Sequence, residues 1–417
     1  MIDIMNAMEK ILSTFESDKR DRIEELFEKY RVSSSSRLEF VKDEKDTELW
    51  MERSILDVLD YDKIDSLKGA QRRDELMRQE RSYINSLRST ETDYSTFPTQ
   101  RLVRPKTIGV QSEKHKLGFG KCPCPIDGEV TRCCKLTTLD AVMQCGFACS
   151  YCSVQAFYNE NRIEIVADLD EKLKKLEIPE GVWHIGTGQA SDSLLIGDDY
   201  GTLTALSNFA SQHPDLVIEL KSKAGRDCFD RHYPENMVFT WSLNAPTVIE
   251  KEEHLTATLE ERLHNAERCR DMGNLVGFHI HPMVYFKGWE KEYEFIAHEI
   301  ERRFKPEEIC MISSGTLIFT KENIQYMREK DEKSRVLEME LLPTAGKYSY
   351  PFETKLKMFS HFFHSFSEDF RSKVFTYLCL EDPKLWMPVL GREYKCDKDF
   401  EMDMKKHYLE KIDSIRK

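Results

Sequence analysis

The sequence predicts an α/β fold in which parallel strands curl into an incomplete barrel behind an α-helical N-terminal extension. Three observations carry that expectation. After Leu136, short apolar runs alternate with helix-patterned segments, as parallel strands joined by crossover helices require. The alternation yields five or six units, too few to close an eightfold barrel. Residues 1 to about 95 are rich in charge, poor in Gly and Pro, and apolar at helical intervals.

Along residues 1–95 the helical spacing is clearest in Ile4, Met8, Ile11, Leu12 and Phe15, and again in Ile55, Val58 and Leu59. The Arg/Glu-rich stretch from Gln71 to Arg88 predicts another amphipathic helix. Residues 96–135 break the pattern with Pro98, Pro105, Pro123 and Pro125 and form a connecting segment that carries Cys122, Cys124, Cys133 and Cys134. These four thiols could hold zinc or another cluster, or pack as reduced side chains. C-x-C and adjacent Cys-Cys are awkward tetrahedral ligand pairs. Residues 136–345 form the barrel core, with strands expected at Leu139–Met143, Val182–Ile185, Leu216–Leu220, Met237–Trp241, Leu275–Ile280 and Cys310–Ile312. Helices are expected between them at Thr202–Gln212, Leu259–Met272, Tyr293–Phe304 and Lys321–Lys330. Residues 346–417 then supply a C-terminal α/β element that completes the barrel.

Composition narrows the setting. A chain of 417 residues holds one large α/β domain with additions, or two domains. With 32% charged residues, no apolar run of membrane-span length and no basic-then-apolar leader at Met1-Ile2-Asp3-Ile4, a soluble cytoplasmic protein without a membrane partner is expected. Its twelve cysteines then read as reduced thiols or metal ligands rather than disulfides. A net charge of -13 excludes a surface that is basic throughout, but not a local groove. Between Gln100 and Lys121 six basic residues (Arg101, Arg104, Lys106, Lys114, Lys116, Lys121) face one acid, Glu113; a solvated linker is the plainer account of them, a local basic groove the alternative.

The chemistry begins in the loop after the first expected strand, at the carboxyl end where parallel α/β folds place their sites. Cys145, Cys149 and Cys152 have C-x3-C-x2-C spacing. Three such thiolates hold three corners of a cubane [4Fe-4S] cluster and leave one iron open for a small molecule. A zinc knuckle or buried thiols would compete, but zinc sites come as separated pairs or with histidine partners. The spacing, with Tyr151 before the last cysteine, resembles the motif of radical S-adenosylmethionine (SAM) enzymes. In these the open iron chelates SAM, and an electron releases a 5′-deoxyadenosyl radical. Gly186 and Gly188 end the second strand, where bare backbone can approach the methionine end of SAM, and Ser191 and Asp192 follow as partners for its ammonium. Lys221 and Lys223 share one face of the third strand, and a lysine there suits the methionine carboxylate. Ser242 and Asn244 share a face at the end of the fourth strand and could hydrogen-bond SAM; His279 and His281 end the fifth and would line a substrate pocket.

Taken together these residues resemble the spore photoproduct lyase family of radical SAM proteins over roughly residues 120 to 391. The resemblance rests on Gly-Thr-Gly-x-x-x-Asp-Ser-Leu at 186–194, Glu-Leu-Lys-Ser-Lys at 219–223 and Trp-Ser-Leu-Asn at 241–244. It continues through Glu-Glu-His-x-Thr-Ala-x-Leu-Glu-Glu-Arg-Leu at 252–263, Gly-Phe-His-x-x-Pro at 277–282, Gly-Trp-Glu at 288–290, Ser-x-Gly-Thr-Leu at 313–317 and Tyr-Leu-Cys-Leu-Glu at 377–381. It implies a partial (β/α)6 TIM-like barrel of the radical SAM type. It also implies cluster ligation by Cys145, Cys149 and Cys152, SAM contacts at Lys223, Ser242, Ser191 and Asp192, and a reductant such as flavodoxin or ferredoxin. The implied substrate is a thymine photoproduct in DNA, opened by carbon–carbon cleavage. Two departures touch the return of hydrogen to the repaired base. Gln189-Ala190 stands where the lyase has a cysteine before Ser-Asp, and Ser153 stands where it has a second tyrosine beside the third ligand. Cys379 or Cys228 could serve as donor instead. The alternatives are a radical SAM enzyme with another substrate (a peptide, a tRNA base or a small metabolite) and a non-catalytic metal-binding scaffold. The sequence leaves the oligomeric state open.

Overall fold

The computed structural model describes residues 2–100, 107–111, 117–122, 130–157, 162–189 and 191–416, and the chain divides into two compact units. The first comprises Met1–Pro98, Tyr285–Lys287 and Phe319–Leu342. Its helices are α1 (Ile2–Leu12), α2 (Ser17–Tyr30), α3 (Ser34–Trp50), α4 (Ile55–Val58), α5 (Tyr61–Ser66) and α6 (Ala70–Arg88), with a further helix at Lys321–Lys330. Ser33 caps α3 by accepting the Ser36 amide at 3.4 Å. α3 buries Phe40, Val41, Leu49 and Trp50 but also Asp43, Glu44, Lys45, Asp46 and Thr47. Buried charges require partners. Arg328 binds Asp46 through two bonds of 2.8 and 2.7 Å, Lys19 reaches Glu44 at 2.7 Å, and Glu44 accepts the Ile55 amide that opens α4.

The second unit comprises Thr99–Val284, Gly288–Ile318 and Pro343–Lys417. It carries an eight-stranded sheet: β1 (Phe119–Lys121), β2 (Thr137–Leu139), β3 (His184–Thr187), β4 (Val217–Ser222), β5 (Met237–Ser242), β6 (Val276–Met283), β7 (Ile309–Thr316) and β8 (Thr376–Leu378). The strands lie side by side in sequence order. β2 to β8 are parallel and β1 is antiparallel to β2. The sheet is a curled, open half-barrel. Helix Thr202–Gln212 connects β3 to β4, Leu259–Asp271 connects β5 to β6, and Trp289–Arg303 connects β6 to β7. β5 and β7 are buried at every position, and each opens with an apolar run, Met237–Phe239 and Ile309–Ile312, as strands covered on both faces do. Helix Leu259–Asp271 starts at a reciprocal cap, in which Thr258 accepts the Glu261 amide and Glu261 accepts the Thr258 amide.

Several boundaries differ from the sequence pattern. The first expected strand, Leu139–Met143, is two pieces: Thr137–Leu139 joins the barrel, while Val142–Met143 pairs antiparallel with Arg162–Val166. Burial decides this, because Val142 packs there with Ile163, Ile165 and Ile196. β6 and β7 run past Ile280 and Ile312 because polar residues such as Ser313 and Thr316 are buried and bonded inside the barrel. Helix Trp289–Arg303 begins a turn before Tyr293, launched by Gly288 at φ 93°. Arg101, Arg104, Lys106, Lys114, Lys116 and Cys124 lie outside the described residues. Among the described residues no helix is long and apolar enough to cross a membrane.

Candidate active site

Alternate residues of a strand point to the same side, so the barrel lumen is lined in layers. Glu219 of β4 centres the deepest. It pairs with His184 Nε2 at 2.9 Å and His279 Nε2 at 2.8 Å, and accepts the Thr240 hydroxyl at 3.2 Å. Burial opposes its charge, but the two imidazoles hold its carboxyl below the usual range. Burial, and then Lys221, lower His279 to about 4. Its ring is therefore neutral near pH 7, donating from Nε2 to Glu219 and accepting at Nδ1 from the Ser313 hydroxyl at 2.6 Å. Lys221, two residues on, lies within electrostatic reach of His279, His281 and Cys379. A β-carbon on Gly315 would stand 2.9 Å from the Cys379 carbonyl and 3.2 Å from the His281 ring. Glycine is what lets β6, β7 and β8 bring those groups so close.

At the carboxyl ends of the strands stands Glu253. Lys223 Nζ donates to its Oε1 at 2.9 Å and Asn244 Nδ2 to the same oxygen at 3.0 Å, while Arg262 donates to Oε2 at 2.6 Å. The Tyr151 hydroxyl donates to Oε1 and itself accepts from Lys223. Burial works against ionisation of Glu253, yet the Arg262 guanidinium and the Lys223 ammonium hold its carboxyl far below the usual range. Reciprocally, burial disfavours charge on Lys223, and Glu253 and Cys149 together hold its ammonium above the usual range. Arg262, fully buried, also donates to the Ser242 carbonyl at 2.7 Å and so ties the hub to the end of β5.

The three-cysteine loop is fastened to the same hub. Ala148–Cys149 pairs antiparallel with Glu253–His254, and the Ser150 amide donates to the Glu252 carbonyl at 2.8 Å. Cys149 is buried, and Cys145 and Cys152 are half-buried. The Phe147 amide donates to Cys145 Sγ at 3.4 Å, as amides do around cluster sulfurs. Burial pushes the Cys149 thiol up to about 12 and raises Cys145 as well. A bare thiolate is thus disfavoured, a penalty that bound iron removes. Among the described residues no three Cys, His, Asp or Glu side chains converge on one ion position. The three thiols of a cubane site each bind a different iron, and three soft donors on one buried loop fit that group.

The β3–β4 corner completes the site. Asp192, buried, accepts the Lys223 amide at 2.6 Å, the Ser222 hydroxyl at 2.8 Å and the Leu194 amide at 3.1 Å. Burial raises its carboxyl, these three bonds opposing. Gly188 has φ 79°, and a β-carbon there would stand 2.5 Å from Ser193 Oγ and 2.7 Å from the Lys221 carbonyl. Gly186 lies within β3, and Ser191 is half-buried beside the clamp.

Most of the residues expected from sequence thus meet at one end of the barrel: Cys145, Cys149, Cys152, Tyr151, Asp192, Lys223 and Asn244, with the Ser242 carbonyl tied to them through Arg262. Cys379, just past β8, lies within electrostatic reach of Lys221. Asn244 spends its full capacity inside the protein, donating to Glu253 and Pro282 and accepting from Ala245 and Tyr293. Glu253 and Arg262 are not among the site residues expected from sequence, although both fall in the run 252–263; their pairing with each other and with the cluster loop shows only in the fold.

Comparison with known proteins places these features. The family model described as spore photoproduct lyase matches residues 141–370, more than half of the 417. A spore photoproduct lyase of Clostridium acetobutylicum is 32% identical over 69 residues, 16% of this chain and 20% of that protein; the match therefore spans only a fifth of the relative's length. A solved double mutant of spore photoproduct lyase with bound AdoMet and dinucleoside spore photoproduct has a TM-score of 0.53 at 18% identity, covering 65% of this chain and 81% of its own. A Tyr-to-Phe mutant of spore photoproduct lyase gives 0.52 at 18% identity, covering 68% and 88%. At such identity the likeness is one of fold.

Proposed function

This chain belongs to the spore photoproduct lyase family, and from that premise we propose that it opens thymine photoproducts in DNA by radical SAM chemistry. A single observation carries the reading: the three-thiol loop is bolted to the Lys223–Glu253–Tyr151 hub at the mouth of an open parallel barrel. Cys145, Cys149 and Cys152 would hold a [4Fe-4S] cluster which, with SAM on the iron lacking a protein ligand, supplies a 5′-deoxyadenosyl radical.

The chain's own residues prepare that event. Glu253 and Tyr151 orient Lys223, whose ammonium offers a charge-assisted bond to the methionine carboxylate. The backbone edge at Gly186 and Gly188 and the hydroxyls of Ser191 and Ser242 offer polar contacts. Asp192 fixes the loop that presents them, and Asn244 braces Glu253. Cys379 gives its hydrogen atom to the repaired base, in place of the thiol absent at Gln189-Ala190. The lesion would have to leave the helix to reach this depth. An electron carrier of the flavodoxin or ferredoxin class and a reducing, cytoplasmic setting suit the chemistry. The bound molecules of the solved relative support SAM and a photoproduct as ligands.

The missing thiol favours a second reading, the same chemistry on another substrate. Anaerobic reconstitution separates the possibilities. Iron and sulfide in cubane proportion and release of 5′-deoxyadenosine from SAM under dithionite are expected, both lost in Cys145→Ala. Thymine recovered from photoproduct-bearing DNA supports the repair reading; deoxyadenosine formation that no photoproduct DNA alters shifts the reading to another substrate. Protein that takes up zinc and no iron overturns both.

A further inference from the structure

Two polar side chains face the barrel lumen without joining either the Glu219 network or the Glu253 hub. Lys221 stands two residues beyond Glu219 on β4, and His281 two residues beyond His279 on β6. Alternation along a strand turns each to the side of its predecessor. Those predecessors are bonded to each other at 2.8 Å, so the two strands present these residues to one lumen. Contacts bear this out for His281. Its ring lies 3.2 Å from where a β-carbon on Gly315 would stand, two residues beyond the Ser313 that bonds His279. Register sets Lys221 beside Thr240 of β5, and Thr240 beside Gly277 of β6, so neither neighbour brings an acid.

Lys221 and His281 are both half-buried, and among the described residues neither side chain has a hydrogen-bond or ion-pair partner. Glu219, Glu253 and Glu381 are committed elsewhere. Glu219 answers two imidazoles and a hydroxyl, and Glu253 holds Lys223 and Arg262. Glu381 takes Lys355 at 2.7 Å and the Thr316 amide and hydroxyl at 2.9 and 2.7 Å. Lys223 thus has its anion within the protein, and Lys221 has none.

We propose, resting on the repair reading above, that Lys221 and His281 form an anion site in the lumen and take the phosphodiester that joins the two nucleosides of the photoproduct. The chemistry of the pair fits a phosphate. An ammonium donates up to three charge-assisted bonds to an oxyanion. Burial, and then Lys221, hold His281 down to about 3, so its ring is neutral near pH 7 and has one N–H to give. One positive charge then meets one negative charge, with a neutral donor beside it. The match matters because the phosphodiester of a lesion turned out of the helix sheds water as it enters the lumen, and a buried charge needs a partner. It also approaches a chain of net charge -13, whose overall field opposes it. A phosphate held between the two bases fixes both relative to the hub, as backbone contacts position a nucleic acid without reading its sequence.

The test is equilibrium binding of two photoproduct ligands to the reconstituted full chain, with SAM and without reductant. The dinucleotide has the phosphodiester and the dinucleoside lacks it. The wild type should bind the dinucleotide at least about tenfold more tightly, and added salt should erode that preference. Lys221→Gln should bring the two affinities together, Lys221→Arg should keep them apart, and His281→Phe should narrow the gap. Equal affinities in the wild type, a gap that survives either Lys221→Gln or His281→Phe, or parallel loss of both ligands in Lys221→Gln overturns the anion site alone. Wild-type protein that binds neither ligand, or forms no 5′-deoxyadenosine once reduced, overturns the repair reading and the site with it.

Discussion

At the scale of single residues, Glu253 sets the charge balance of the site. Its two oxygens answer two buried cations, Lys223 and Arg262, and two neutral donors, Tyr151 and Asn244. Glu253→Gln would leave Arg262 buried without its anion, a loss of about 3–5 kcal/mol. Thermal melting of the metal-free variant should show a drop of that order, and SAM affinity of the reconstituted variant should fall with it. An unchanged melting temperature would mean that Arg262 is satisfied by the Ser242 and Ala257 carbonyls alone. The comparison also explains which parts of the site the sequence discloses. Cys145, Cys149 and Cys152 are legible because cluster ligation is local, the three donors lying on one loop. Glu253 is not, since its meaning depends on Lys223, 30 residues away just past the end of another strand.

Among the elements, the corner between β3 and β4 couples fold to site most directly. Gly188 holds a left-handed turn with no room for a side chain, and the chain it redirects carries Asp192 back to the Lys223 amide. Gly188→Ala should cost about 1–3 kcal/mol in stability through overpacking. Because the clamp moves with the turn, SAM affinity measured by calorimetry should fall further than the stability loss implies. Asp192→Asn keeps the shape but weakens the acceptor, and should lower SAM affinity with a smaller change in melting. Equal losses in both variants would show that the turn serves folding alone. Elements of this kind were largely readable in advance: Thr202–Gln212 and Lys321–Lys330 occur as the spacing predicts. Strand ends were not, because an apolar run names burial without naming its sheet. Val142 satisfies its side chain among Ile163, Ile165 and Ile196, so the run from Leu139 splits between two sheets.

For the whole molecule, the two units should respond to pH with opposite sign. In the barrel unit, burial lowers His279 to about 4 and His281 to about 3 from an ordinary 6.5. Groups that bind protons more readily when unfolded stabilise the fold above about pH 6.5, and that support is lost as pH falls through the folded values. In the helical unit the signs reverse. Burial raises Glu338 from 4.5 to about 7, and burial together with Asp43 raises Glu80 well above the carboxylate range. The folded state then binds the extra proton, so stability is greatest below about pH 4.5 and is lost as pH rises through the folded values. Hydrogen exchange read unit by unit, corrected for intrinsic rate, should show α3 and α6 losing protection from about pH 5 to 8. β4 to β7 should gain protection from about pH 5 to 6.5 and then level off. Glu80→Gln, neutral at every pH, should flatten the slope in α3 and α6 and leave that of the barrel strands. Slopes of the same sign in both units would place the controlling groups elsewhere.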